Sequence, residues 1–128
     1  MKILGVGVDI VKNDRIEILT GKKNFKFKNF KKKEKNFFKK KNTKISFFAK
    51  RFAAKESFSK SLGTGIRDDL NFKDIEILND KLGKPYFRKT KKINNLIYKK
   101  FKVKKYNLYL SISDEKDYSI AFTIIQKQ

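Results

Sequence analysis

Three side chains of this sequence have the types and spacing to handle a metal ion and phosphate: Asp9, Glu56 and Lys60. Asp9 is an acid at the end of a glycine-bearing apolar strand read over Ile3–Val11, where an ionised carboxylate needs a counter-charge or a metal, because burying an unpaired charge is costly. Taken alone, it reads equally well as a turn or N-cap acid. Glu56 and Lys60 are four residues apart and therefore share one side of a helix. An ordinary surface pair at that spacing contributes about 0.2–0.5 kcal/mol. Here Ala49 and Ala53 lie on the same side, and Ser59 and Gly63 extend the run of small residues toward the helix end, which leaves room for a ligand. Two carboxylates in a chain without histidine or cysteine suit a hard cation with oxygen ligands. Mg²⁺ is the usual choice, held by one or two acids plus substrate phosphates and water. Such a site is best at displacement at phosphorus, with metal and lysine neutralising the developing charge.

The absences are as informative. Without cysteine there are no disulfides and no thiolate metal sites, and the chain is compatible with a reducing cytosol. Without histidine the usual general base, the commonest zinc ligand and every Ser/His or Cys/His nucleophile pair are excluded. No apolar run approaches the roughly 20 residues of a membrane helix. Met1–Val11 is interrupted by Gly5, Gly7 and Asp9 and lacks a small-residue cleavage site, so it reads as a strand and not a signal peptide. The expectation is a cytoplasmic protein with no membrane partner. Its 128 residues make one domain, 1–128, able to bury about 65–70% of the unfolded chain's surface.

The formal charge is +21, and lysine, asparagine, isoleucine and phenylalanine together make up 67 of the 128 residues. That bias looks like AT-rich codon usage acting on tolerant positions, so much of the charge sits on solvated surface. What remains is attraction and steering of an acidic or polyanionic partner. Lys22–Lys44 is the densest part, with twelve lysines, one acid (Glu34) and five phenylalanines. It reads either as a groove with aromatic platforms for single-stranded nucleic acid or as a solvated segment pinned by its phenylalanines. The second reading is favoured, because stacking sets usually bring Tyr, Trp and Arg as well.

These residues must be positioned by regular elements. Asn13-Asp14 precedes a short helix, Arg15–Leu19, that Gly21 stops. Phe47–Leu62 has the strongest helical periodicity, with Phe48, Phe52, Phe58 and Leu62 on one arc. Lys55 falls inside that arc, its stem expected to snorkel past Phe48 and Phe58. Gly63-Thr64-Gly65 supplies a left-handed cap. Asp74–Leu78 alternates as a strand, and Asn79–Pro85 turns it into Tyr86-Phe87 as a hairpin. Ile93–Phe101 spaces its apolar residues as a helix. Leu108, Leu110 and Ile112 face one way along a strand, Asp114–Asp117 turns, and Tyr118–Ile125 forms the last strand. The sum is α+β, a single domain whose mainly antiparallel sheet packs on helices.

The motifs together resemble the holo-acyl-carrier-protein synthase family. Val6-Gly7-Val8-Asp9-Ile10-Val11 with Arg15-Ile16 is similar to its first signature. The run Arg51-Phe52-Ala53-Ala54-Lys55-Glu56-Ser57-Phe58-Ser59-Lys60 through Ile66 is similar to its second, nearly residue for residue. Asp74–Ile77, Gly83-Lys84-Pro85, Leu110–Ser113 and Asp117–Ala121 resemble its later blocks, in order along the whole chain. The resemblance implies the 4′-phosphopantetheinyl transferase fold and Mg²⁺-dependent transfer of 4′-phosphopantetheine from coenzyme A to a serine of apo acyl carrier protein, releasing adenosine 3′,5′-bisphosphate. It also implies metal ligands at Asp9 and Glu56, Lys60 beside the reacting phosphate, Arg15 at the acidic carrier protein, and a homotrimer with active sites between chains. Ser59, Gly63, Lys84 and Pro85 join Arg15 as expected substrate-binding residues. The alternatives are a basic nucleic-acid-binding protein, which leaves the ordered motifs unexplained, and an inactive family member; no specific nucleic acid is expected. One departure has chemical weight. The family usually has histidine where this chain has Asp114, so a histidine-dependent proton step is impossible, and the serine proton falls to a carboxylate, a metal-bound water or solvent. Asp114 is expected to point away from the phosphates, and histidine at 114 to raise turnover. The Lys-rich stretch also fits the family poorly.

Overall fold

Glycine at positions 5 and 7 lets a helix lie directly on the first strand. In the computed structural model, which describes residues 2–20, 45–66 and 70–128, β1 spans Lys2–Lys12 and α1 Asn13–Thr20. Then come α2 (Ile45–Ser61), a 3₁₀ turn (Phe72–Asp74), β2 (Ile77–Asn79) and β3 (Pro85–Phe87). α3 (Lys91–Phe101), β4 (Tyr106–Asp114) and β5 (Tyr118–Lys127) complete the order. The Lys22–Lys44 stretch lies outside the described residues.

β5 is the central strand of an antiparallel sheet ordered β1-β5-β4, and β2 and β3 form a separate antiparallel hairpin. The α+β expectation with mainly antiparallel strands holds. α2 crosses the inner face of the sheet. Ala49, Ala53 and Ala54 are fully buried there, and Ser57 Oγ lies 2.6 Å from Thr123 Oγ1 of β5. Phe58, also fully buried, packs its ring 5.2 Å from that of Phe87.

Burial of β1 is one-sided. Gly7 and Val11 face α2, while Val6, Val8 and Ile10 are half or more exposed on the outer face. The alanines likewise differ from expectation: their small size makes room for the sheet and not for a ligand. Lys55 does not snorkel either. It is fully buried, and its ammonium donates to the carbonyls of Phe72 and Ile75. Those bonds draw the 72–75 backbone inward as a 3₁₀ turn, so the expected strand at Asp74–Leu78 begins only at Ile77. Buried Glu76 pairs with Arg88 at 3.1 Å.

Helix ends follow local chemistry. Gly63 takes φ +78 as the left-handed residue that stops α2. Thr90 caps α3 by accepting from Ile93 N at 3.2 Å, which starts that helix two residues before its apolar periodicity. Asn13 ties the β1–α1 junction to the β4–β5 turn: its backbone N donates to Asp117 O at 2.8 Å, and its side chain bonds Lys116 O and Ser119 Oγ.

Candidate active site

β1 and α2 bring the three chemistry-bearing residues together. Lys60 Nζ donates to Asp9 Oδ1 at 2.9 Å and to Val8 O at 3.2 Å. Glu56 sits one turn back along α2, about 6 Å of rise. Burial lifts the Glu56 carboxyl above its ordinary value, the Asp9 charge lifts it further, and Lys60 opposes them. These groups line a cavity of about 260 Å³ with Arg15, Ile16 and Phe52. The Asn13 anchor fixes the start of α1 and hence the place of Arg15 on the rim.

The raised Glu56 carboxyl has a consequence for stability. The native chain holds this proton to higher pH than the unfolded chain does. The favourable contribution is therefore complete below the ordinary value of 4.5 and lost as pH climbs through the raised one. Glu56→Gln is expected to raise Tm at pH 7.5 in chelator and to leave it unchanged near pH 4. Thermal unfolding at the two pH values checks this, and no gain at pH 7.5 refutes it.

A second cavity, of about 590 Å³, lies on another side of α2, where Phe47, Lys50 and Arg51 face the β2–β3 hairpin and Asp114. Arg51 is buried and stacks 3.9 Å from the Phe47 ring centroid. Asp114 is exposed on the wall of this cavity, beside Lys50, Arg51 and Lys81.

The structure thus gathers Asp9, Arg15, Glu56 and Lys60. Pro85 lines the larger cavity, and Lys84 is next to it in the hairpin turn. Ser59 and Gly63 line neither cavity: Ser59 is fully buried, its Oγ donating to Glu56 O at 2.8 Å, and Gly63 is exposed at the helix end. Arg51 and Phe52 were readable as candidates only weakly. Phe52 looked like core, and the signals for Arg51 are its place at the head of the second signature and its being an arginine in a chain whose cations are otherwise almost all lysine.

Residues 5–123 match the 4′-phosphopantetheinyl transferase superfamily. A holo-[acyl-carrier-protein] synthase of Pelagibacter ubique is 55% identical over 128 residues, all of both chains. The chain belongs to the holo-acyl-carrier-protein synthases. It is a phosphopantetheinyl transferase. Solved synthase structures agree with its fold. That of Neisseria meningitidis has a TM-score of 0.88 and 35% identity, covering 98% of this chain and 100% of its own. That of Bacillus anthracis, in complex with CoA (3′,5′-ADP), has a TM-score of 0.81 and 32% identity over 98% of each chain.

The donor set of this synthase fits a hard divalent cation. Asp9 and Glu56 offer carboxylate oxygens, and a cation, the Lys60 ammonium, already sits on Asp9. Among the described residues no three acids cluster, so further ligands would come from substrate and water.

Proposed function

We propose that this enzyme transfers 4′-phosphopantetheine from coenzyme A to a serine of an apo acyl carrier protein, with Mg²⁺, and releases adenosine 3′,5′-bisphosphate. The observation that carries the reading is the meeting of Asp9, Glu56 and Lys60 at one cavity. The serine oxygen forms a bond to the β-phosphorus of coenzyme A. The bond from that phosphorus to the oxygen bridging to the α-phosphate breaks, the bisphosphate leaves with the electron pair, and the hydroxyl proton passes to a carboxylate or to solvent. Asp9 and Glu56 would hold the Mg²⁺, which when bound supplies charge neutralisation at the pyrophosphate. Lys60 moves its donors from Asp9 to a phosphate oxygen, where the ammonium offsets charge that builds in the transition state. Arg15, on the rim, meets the acidic carrier protein, and the +21 chain steers it in.

The working unit is a homotrimer. Val6, Val8 and Ile10 of β1 stand beside Ile124, Phe122 and Ile120 of β5, and Tyr109 of β4 extends the row. Seven apolar side chains on one sheet face form a patch that ordinarily marks an interface. The two cavities suit this assembly as well. Arg51 and Glu56 are five residues, about 140°, apart around α2, so one coenzyme A is better placed across two chains than within one.

The test is mass spectrometry of apo acyl carrier protein incubated with the enzyme, coenzyme A and Mg²⁺, beside light scattering of the enzyme alone. A phosphopantetheine gain on the serine, abolished by chelator, with a mass of three chains, is the expected result. No gain, where another synthase modifies the same carrier protein, refutes the reading and favours an inactive member.

Asp114 bears on the substrate through the cavity wall. A carboxylate there repels phosphate by about 1 kcal/mol at 4 Å in water. Asp114→His is expected to raise kcat/KM for coenzyme A about fivefold, mostly through KM, in steady-state assays. An unchanged or reduced value sinks the idea.

A further inference from the structure

One amide in the larger cavity joins α2 to the turn of the β2–β3 hairpin. Arg51 Nη2, from α2, donates to Asn79 Oδ1 at the end of β2. Asn79 Nδ2 donates in turn to Gly83 O at 2.8 Å, across the hairpin turn. That turn is already held by its own bonds. Asp80 Oδ1 accepts from Leu82 N at 2.9 Å and Lys84 N at 2.8 Å, and Gly83, at φ +88, donates to Asp80 O at 3.0 Å. Asn79 therefore bolts Arg51 to a fixed frame, while the Phe47 ring covers the guanidinium face. The position demands an acceptor and a donor on one short side chain. Asparagine has both; aspartate when ionised cannot donate, and leucine does neither.

The cavity so walled carries Lys50, Arg51 and Lys81 against Asp80 and Asp114, and the Asp80 carboxylate is engaged in the turn. Coenzyme A has three phosphates. Two react as the pyrophosphate at Asp9, Glu56 and Lys60, which leaves the 3′-phosphate on the adenosine end for a cationic cavity. A guanidinium recognises a phosphate monoester well only when its fork is aimed. We infer that Asn79 is the positioning residue that aims Arg51 and so sets the preference of this enzyme for substrates bearing the 3′-phosphate. The inference rests on the coenzyme A reading above.

The experiment compares wild type, Asn79→Ala and Asn79→Asp with coenzyme A and with dephospho-coenzyme A, which lacks only that phosphate. Adenosine 3′,5′-bisphosphate and AMP are titrated calorimetrically alongside, and Tm is recorded. Asn79→Ala is expected to raise KM for coenzyme A about tenfold, the scale of one hydrogen bond to a charged group. Its kcat stays within about twofold, and its KM for dephospho-coenzyme A does not move. Bisphosphate affinity falls by the same factor while AMP affinity is kept. Asn79→Asp captures Arg51 in an ion pair and loses at least as much. Equal shifts for both substrates, or a fall in Tm alone, overturn the inference. A wild type that transfers while Asn79→Ala still distinguishes the two substrates overturns it without touching the parent reading. A wild type that neither transfers nor binds the bisphosphate overturns both.

Discussion

Asp9→Ala and Glu56→Ala each lower phosphopantetheine transfer by at least about 10³-fold, with the fold intact. Removing one preorganised electrostatic group from a reacting centre ordinarily costs about 10²–10³ in rate. Loss of either acid here removes one of the two carboxylates that line the cavity among the described residues and, through it, the hold on Mg²⁺. The two variants separate in a second readout. Asp9→Ala strips Lys60 of its 2.9 Å partner and removes the charge that lifts the Glu56 carboxyl. Glu56→Ala leaves the Lys60–Asp9 pair in place. Both should unfold within a few degrees of wild type, since the side chains stand at a cavity and carry little packing. Carrier-protein mass spectrometry at several enzyme concentrations checks the rate, and circular dichroism melting checks the fold. A variant within tenfold of wild type would remove that acid from the proposed metal set.

Gly7→Ala is the second large effect, and it acts at a distance. A Cβ at position 7 would stand 1.9 Å from Ser57 O and 2.7 Å from Ser61 N, both helix backbone atoms. A Cβ at Gly5 would meet Ser61 O at 1.9 Å. No side chain can rotate out of the way, so α2 must lift off β1 or the strand must bow. Overpacking of this kind costs about 1–3 kcal/mol, a fall in Tm of about 5–15 °C for a chain of this size. The lift also parts Asp9, on the strand, from Glu56 and Lys60, on the helix. A displacement of about 1 Å at a reacting centre costs on the order of 10²-fold. The expected result is therefore a destabilised protein whose activity below its melting range is lower still than its folded fraction allows. Far-ultraviolet melting and transfer assays at 20 °C decide it. A variant with wild-type Tm and rate would mean that the strand and helix are not in the contact described.

Glu56 is raised by desolvation first and by Asp9 second, so its ionisation strains the native state. A site that binds a cation gains from that strain, because the cation relieves it.

The family and most of the scaffold were legible in the amino-acid sequence alone. Asp9, Glu56 and Lys60 were legible because two of them share a helical side and the third is an acid set among apolar residues and glycines, although β1 runs on past it to Lys12 instead of ending there, and because no histidine or cysteine competes for the role. The antiparallel strands, the α2 helix with its Gly63 cap and the β2–β3 turn were legible because each obeys a local rule of periodicity or glycine conformation. The ordered motifs also named the family, which the comparisons bear out.

Tertiary structure decided what depends on which surfaces meet. Alternation in β1 shows two faces but not which is covered; only the helix pressed on Gly5 and Gly7 makes the glycine side the inner one and leaves Val6, Val8 and Ile10 bare. Ala49 and Ala53 looked like room for a ligand, and contact with the sheet fills that room. Lys55 looked like a snorkelling cation until the 72–75 carbonyls were found around its ammonium. Ser59 shares a helix with Glu56 but points into protein, and Asp114 stands on a cavity wall that residues from α2 and the hairpin build together. Each is a relation between segments far apart in the chain, set by packing that no local pattern encodes.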